Sequence, residues 1–434
     1  MMNSELNNHF ALFANPLRTL RLLLFLVVFP LSSFAQNVED YQQIAAENNP
    51  ELRASFQQYL SSLEQEAQVG VLPDPELAFG YFISPIETRV GPQQARISLT
   101  QMFPWFGSLS DKRTLSQTRA KAQYEVFQEN RNQLFFRVET TWLELYELNQ
   151  SLSIAQDNLD ILNSLVEISL RRHETDQASQ VDVLRAQIEQ EDLKSQIALL
   201  EDNRGVLIQK MSALLNEQQT ASIDIPDTLQ AANDIANKEA LMEQVQRQNP
   251  ALNRLRYQED SSREMKKLAY KDGKPSFGIG LDYIFTGERD GVANLSNNGQ
   301  DAIMARASFR IPLFRNNYNA KVREAELNIQ SVQSQIMDKQ NSLETDLESS
   351  LRDYYDAQRQ YELYDQKQIQ RVNQALSIMM NKYSTDSSNF EEILRMQRKL
   401  LDYQLSRVQA LVDMKASLAY IDYLTGKNNI NLKK

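Results

Sequence analysis

Side chains that carry chemistry are scarce in these 434 residues. There is no cysteine, and the two histidines are His9 and His173. Without thiols there is no thiolate metal site, no cysteine nucleophile, no disulfide and no lipid-modified cysteine. One histidine outside the N-terminal leader described below is too few for a histidine metal site or a Ser-His-Asp triad. Met379, Met380 and Met396 offer soft thioethers, but methionines at helical spacing serve packing, so no metal or other cofactor is assigned. Acidic residues outnumber basic ones, 57 to 46, for a net charge of −11. That balance argues against nucleic acid as a partner, because phosphate recognition needs basic patches. The acids are many, but no paired carboxylates stand in a recognisable catalytic arrangement with the one remaining histidine, so the chain does not read as an enzyme.

Two short constellations combine a helix-starting residue, an acid and an arginine: Ser179, Asp182, Arg185 and Asn389, Glu392, Arg395. The first spacing in each is that of a helix N-cap with an acid three residues on. The second allows the arginine to pair with the acid across one turn.

The elements that must position these groups follow from periodicity. Arg18 and Arg21 precede an apolar run over 22–29, and Ser33 and Ala35 follow it. Eight apolar residues are too few to cross a bilayer, and the pattern predicts an export signal over 1–35, cut after Ala35. The remainder is written twice. Asn49-Pro50-Glu51-Leu52 returns as Asn249-Pro250-Ala251-Leu252, and Pro104-Trp105-Phe106 returns as Pro312-Leu313-Phe314. Leu184-Arg185-Ala186-Gln187 returns as Leu394-Arg395-Met396-Gln397. The expected organisation is a first repeat over 36–225, a linker over 226–237, a second repeat over 238–426 and a tail over 427–434. Each repeat reads helix, two strands, very long helix, turn, helix, with the turns near 174–179 and 384–389.

Glycine and proline are absent from Ser108 to Arg204 and from Leu313 to Thr425, where helices must run unbroken. Leu145, Leu148, Leu152, Ala155, Leu159, Leu162 and Val166 form a heptad seam expected to end there, with Leu170 one place out of register. The second repeat keeps the spacing less well: Tyr354, Tyr361, Tyr364, Val372, Ala375 and Met379 fit, but Gln368 interrupts. Strands are expected at about 75–84, 94–103, 276–286 and 301–311, joined by polar loops over 84–93 and 286–300. Their alternation leaves one apolar face and one of Gly, Ser, Asp and Arg, at a length that suits an outer-membrane barrel. Four strands cannot close a barrel, so a membrane role requires several chains: two give eight strands and three give twelve. Phe103, Trp105, Phe106 and Phe314 stand at the strand exits, where they serve either an interfacial aromatic belt or packing at a strand–helix corner.

These paired motifs resemble the TolC-like outer-membrane efflux proteins over about Gln36 to Gly426. The match includes the family's Asp-Val-Leu-x-Ala-Gln pattern, present as Asp182-Val183-Leu184-Arg185-Ala186-Gln187. Asp176 and Asp386 replace the family's turn glycine, and His173 replaces its tyrosine, which is kept as Tyr383. The resemblance implies a mainly helical protomer whose four strands contribute to a twelve-stranded trimeric barrel continued by a periplasmic α-barrel. It implies an exit duct in the outer membrane, a periplasmic adaptor and an inner-membrane pump of RND or ABC type. It also places Glu392, with Asp182 in the first repeat, at gate positions, and Arg395 and Arg185 one turn on. In that reading Glu392, Tyr383 and Arg395 hold the closed state, while capping remains the other role for the two acids. The Asn49-Pro50-Glu51-Leu52 start and the missing lipid-anchor cysteine look most similar to the heavy-metal and multidrug branches. The alternative from the residues alone is a secreted coiled-coil scaffold or adhesin.

Overall fold

The structure, a computed structural model, describes residues 37–217, 223–231, 235–291, 296–385 and 389–427. The expected leader, Asp386 and most of the tail lie outside the described residues.

Each half of the chain opens on two short helices broken at an Asn-Pro pair. These are α1 (Val38–Asn48) and α2 (Pro50–Val69), then α5 (Lys238–Gln248) and α6 (Pro250–Asp272). The repeated asparagine explains the break. Asn49 Oδ1 accepts from the backbone N–H groups of Glu51 and Leu52, while its Nδ2 donates to Leu214 O at 3.1 Å. Asn249 accepts from Leu252 N and donates to Leu424 O at 3.0 Å. One buried amide therefore caps a helix N-terminus and satisfies an orphan carbonyl at the far end of the same repeat. Proline follows because the first helical turn has no use for its missing N–H.

The strands are β1 (Glu76–Thr88), β2 (Gly91–Phe103), β3 (Ser276–Thr286) and β4 (Ala302–Arg310), in one antiparallel sheet of order β1-β2-β3-β4. The loop expected over 84–93 is a correction: both strands run on to a tight turn at 89–90. Pro85 is tolerated because β1 is an edge strand and its register shifts between Tyr81 and Ile86. Leu77, Leu99, Leu281 and Ala305 stand in one cross-strand row, and Phe79, Ile97, Tyr283 and Ile303 in the next on the same face.

Beyond the sheet, α3 (Ser108–Glu174) runs 67 residues, about 100 Å at 1.5 Å per residue. It packs with α4 (Gln180–Leu215). The second repeat divides the same task between α7 (Arg315–Leu363) and α8 (Ile369–Thr385), joined by a π-helical turn at Tyr364–Gln368, before α9 (Phe390–Thr425). That turn is where Gln368 interrupts the seam. It inserts one residue, and Ile369, Val372 and Leu376 are buried below it. Ala375, expected on the seam, is only half-buried for the same reason. The seam of α3 does not end at Val166: Ser169 continues it fully buried, its hydroxyl donating to Val166 O, and Leu170 is exposed.

Three apolar clusters fill the helical layers. The largest joins α1, α3, α4 and α9 around Trp142, Leu145 and Met414. A second, toward the α3–α4 turn, gathers Leu159, Leu165, Leu193, Tyr383, Phe390 and Ile393. The third packs α5 and α6 on α7 and α9 through Val245, Leu252, Leu347 and Leu424. Between the first two, buried Asn158 of α3 donates to Gln404 Oε1 at 2.8 Å and accepts from Gln397 Nε2 at 2.7 Å.

Candidate functional site

The α3–α4 turn closes as a Schellman motif. Gln177 N donates to Arg172 O at 2.8 Å and Asp176 N to His173 O at 3.0 Å. Asp176 occupies the left-handed position, φ 57°, that glycine takes most readily. Ser179 then caps α4, accepting from Val181 N at 3.2 Å, and Asn389 caps α9, accepting from Glu391 N at 3.2 Å. The two asparagine and serine caps satisfy the N–H groups through their own oxygens, and the acids three residues on turn to arginines instead.

Those arginine contacts form a short chain of charges between α4 and α9. Arg185 Nη1 lies 3.8 Å from Asp182 Oδ1 and 3.4 Å from Glu391 Oε2 on the other helix. Arg395 lies 3.7 Å from Glu392 within α9, and Arg398 lies 3.6 Å from Glu189 of α4. Tyr383 is elsewhere. It is buried, its ring covered by the Arg172 guanidinium at 4.5 Å and packed on Phe390 at 5.0 Å. Its hydroxyl has no hydrogen-bond partner among the described residues. Burial and the nearby Asp182 carboxylate push the Tyr383 phenol up, and Arg172 pulls it partly back.

The expected pairs Asp182–Arg185 and Glu392–Arg395 therefore form, whereas Tyr383 meets Arg172 and Phe390 and Glu392 meets Arg395. Sequence reasoning missed Glu391, which makes the inter-helix bridge, and Arg172, whose position in the basic last turn of α3 was its only signal. Individually such half-exposed pairs contribute about 0–1 kcal/mol.

At the opposite end, Phe103 and Phe106 pack on Phe277 at 6.3 and 5.2 Å, with Trp105 edge-on to Phe106 at 5.9 Å. Phe314 is separate and 84% exposed, next to exposed Leu313 and Ile311. The apolar sheet face is exposed at Leu77, Phe79, Tyr81, Ile279, Leu281 and Ile303, an uncovered area that water does not favour. The other face holds Asp282, wholly buried, 3.6 Å from Arg306, whose Nη2 donates to Thr100 Oγ1 at 2.9 Å. Arg306 reaches Thr100 across Gly280, which has no side chain in the way. Among the described residues no helix is long and apolar enough to cross a membrane. Nor does any cluster of three or more His, Asp or Glu among them suit a metal ion.

A duplicated protomer with a two-faced four-stranded sheet and long helical hairpins is the protomer fold of assemblies built as a β-barrel continued by an α-barrel. The family model described as Outer membrane efflux protein matches residues 41–217. The chain is 22% identical to Outer membrane protein TolC of Salmonella enteritidis over 446 residues, covering 95% of this chain and 85% of that one. Its fold is similar to the outer-membrane channel OprN, with a TM-score of 0.74 at 16% identity, covering 90% and 89% of the two chains. VceC from Vibrio cholerae gives 0.73 at 14% identity, covering 90% and 96%. Residues 41–217 thus match the outer-membrane efflux family, and the chain as a whole is similar in fold to solved outer-membrane channels. The proteins it is similar to are outer-membrane channels and an outer-membrane efflux family, and none of them is described as an enzyme. The scaffold or adhesin reading has no support among these relatives.

Proposed function

We propose that three copies of this chain close a twelve-stranded barrel and act as the exit duct of a tripartite efflux system whose helical tips form the gate. The observation that carries the reading is the sheet. β1 and β4 are its two edges, one face is apolar and exposed, and the other is polar. Unpaired edges are not tolerated in lipid, and edge-to-edge pairing of identical copies removes them. The apolar face then meets lipid, with Phe103, Trp105, Phe106 and Phe314 at the membrane boundary, and the polar face lines the lumen. The two repeats, over 36–225 and 238–426, supply equivalent staves of the wall. Removal of the leader after Ala35 accompanies export, and the mature chain carries no lipid anchor.

At the tips, the pairs of Asp182, Arg185, Glu391, Glu392 and Arg395 hold α4 and α9 together, and threefold symmetry turns each into a ring. Rings of charge at a constriction tune cation passage and resist or favour closure. A periplasmic adaptor docks its own helical hairpins on the outside of these tips, and an inner-membrane pump supplies the energy. The test is single-channel conductance of the purified full chain in planar bilayers, together with drug susceptibility of cells. Glu391→Ala and Arg185→Ala each raise conductance, and the double variant adds little to either. Glu392→Ala does the same through Arg395. Unchanged conductance and susceptibility in all of them would remove the gate from these residues while leaving the channel intact.

A further inference from the structure

We propose that the cleft where α2 and α6 flank α3 is a binding site for an amphipathic organic cation. The cleft measures about 560 Å³ and is lined by Tyr59, Leu63, Tyr124, Glu125 and Tyr257, with Glu66 and Gln117 at its rim. That volume lies in the range of small-molecule sites, and three tyrosines contribute to its walls. The Tyr59 and Tyr124 rings stand 5.1 Å apart at 57°.

Glu125 is the polar group in this setting that lacks a partner. It makes no hydrogen bond or ion pair among the described residues, and burial alone pushes its carboxyl up to about 7. Lys121, one turn earlier, is placed to pair with it but lies instead over the Tyr257 ring, 5.9 Å from its centroid. The rim acid is already engaged, since Glu66 accepts from Gln117 Nε2 at 2.7 Å. A half-buried carboxylate without a counter-charge favours a cation that brings one, and ring faces attract the same charge. Lys121 over Tyr257 is an internal example of that attraction.

The second repeat supplies the contrast. At the repeat offsets, Tyr59 corresponds to Glu259 and Glu125 to Gln333. There the acid stands at the Tyr59 position and an amide at the Glu125 position, and the two satisfy each other: Gln333 Nε2 donates to Glu259 Oε1 at 2.8 Å. One repeat closes the position with a hydrogen bond, and the other leaves an acid among tyrosines.

Binding of tetraphenylphosphonium, a permanently charged aromatic cation, to the detergent-solubilised full chain by titration calorimetry tests the assignment. Saturable binding is expected, weakened roughly tenfold by Glu125→Gln and by Tyr257→Leu. Binding weakens as pH falls through about 7, where Glu125 takes up a proton. The other charged groups at the cleft are Glu66 and Lys121. The anion anilinonaphthalene sulfonate is expected to bind far more weakly. Glu125→Gln keeps the side-chain shape and removes a buried charge, so it folds. Unsaturable binding, equal binding of the anion, or unchanged affinity in both variants overturns the proposal. Bilayer conductance of the same preparations is read separately, so a failure of the channel reading and a failure of the cleft are distinguished.

Discussion

Asp176 adopts a backbone conformation that costs most L-residues about 1–2 kcal/mol, and its short polar side chain reduces that cost. Asp176→Gly should therefore stabilise the α3–α4 turn by roughly 0.5–1 kcal/mol, and Asp176→Val should destabilise it by more, both read from denaturant unfolding. Tyr383 makes a second residue-scale prediction. Its hydroxyl is buried without a partner, so Tyr383→Phe should leave closed-state conductance and stability unchanged or slightly improved. Tyr383→Ala removes the ring beneath Arg172 and against Phe390, and should loosen the tip. We propose that Tyr383, if it holds the closed state, does so through its ring and not its hydroxyl. Residue types alone conveyed the caps at Ser179 and Asn389, because capping depends on local spacing. They did not convey the Arg172–Tyr383 contact, which joins two helices far apart in the chain and has no periodic signature.

Elements were the most legible scale. The glycine and proline map located the long helices, and the alternation in 276–286 and 301–311 lies close to the observed β3 and β4. The first hairpin misled because Pro85 and Pro92 look like loop residues, and only the edge position of β1 and its register shift make them compatible with strands. The π turn at Tyr364–Gln368 was visible only as an irregular seam at Gln368. It leads to a deletion test. Removing exposed Lys367 takes out the extra residue, keeps Ile369, Val372 and Leu376 on the buried seam, and should change stability by less than about 1 kcal/mol. Removing Arg371, one turn later, rotates Val372 and Leu376 differently from Ile369 and should cost several times as much. The relative urea midpoints of the two deletions decide the matter.

For the whole molecule, charge and burial set a pH dependence. Burial pushes the Glu139 carboxyl up to about 7, with Asp422 and Glu39 adding repulsion, while Gln42 and Lys415 partly offset it. The folded state then holds a proton more tightly than the unfolded chain. The resulting stability is full below the ordinary carboxylate value near 4.5 and is lost as pH rises through about 7. The loss is on the order of 3 kcal/mol, taking roughly 1.4 kcal/mol per pH unit. Glu139→Gln should accordingly raise the thermal midpoint at pH 8 and leave it nearly unchanged at pH 4, as differential scanning calorimetry would measure. Composition contained no hint of this, since a mean hydropathy of −0.50 describes a water-bathed chain and does not reveal which acids are enclosed.

The pairing of β2 with β3, running from Gln93↔Thr286 to Phe103↔Phe277, carries a consequence in time. Everything from α3 to α6 intervenes, so this ladder closes one of the longest loops in the chain, and closures of that kind come late. A newly exported chain must hold its first hairpin open until the second arrives, with hydrogen-bonding groups bare on both sides of it. During that interval the first hairpin of one copy is free to capture strands from another. A partner that covers the open edge until β3 arrives would therefore raise the yield of correctly paired chains, and refolding at rising protein concentration should lower it.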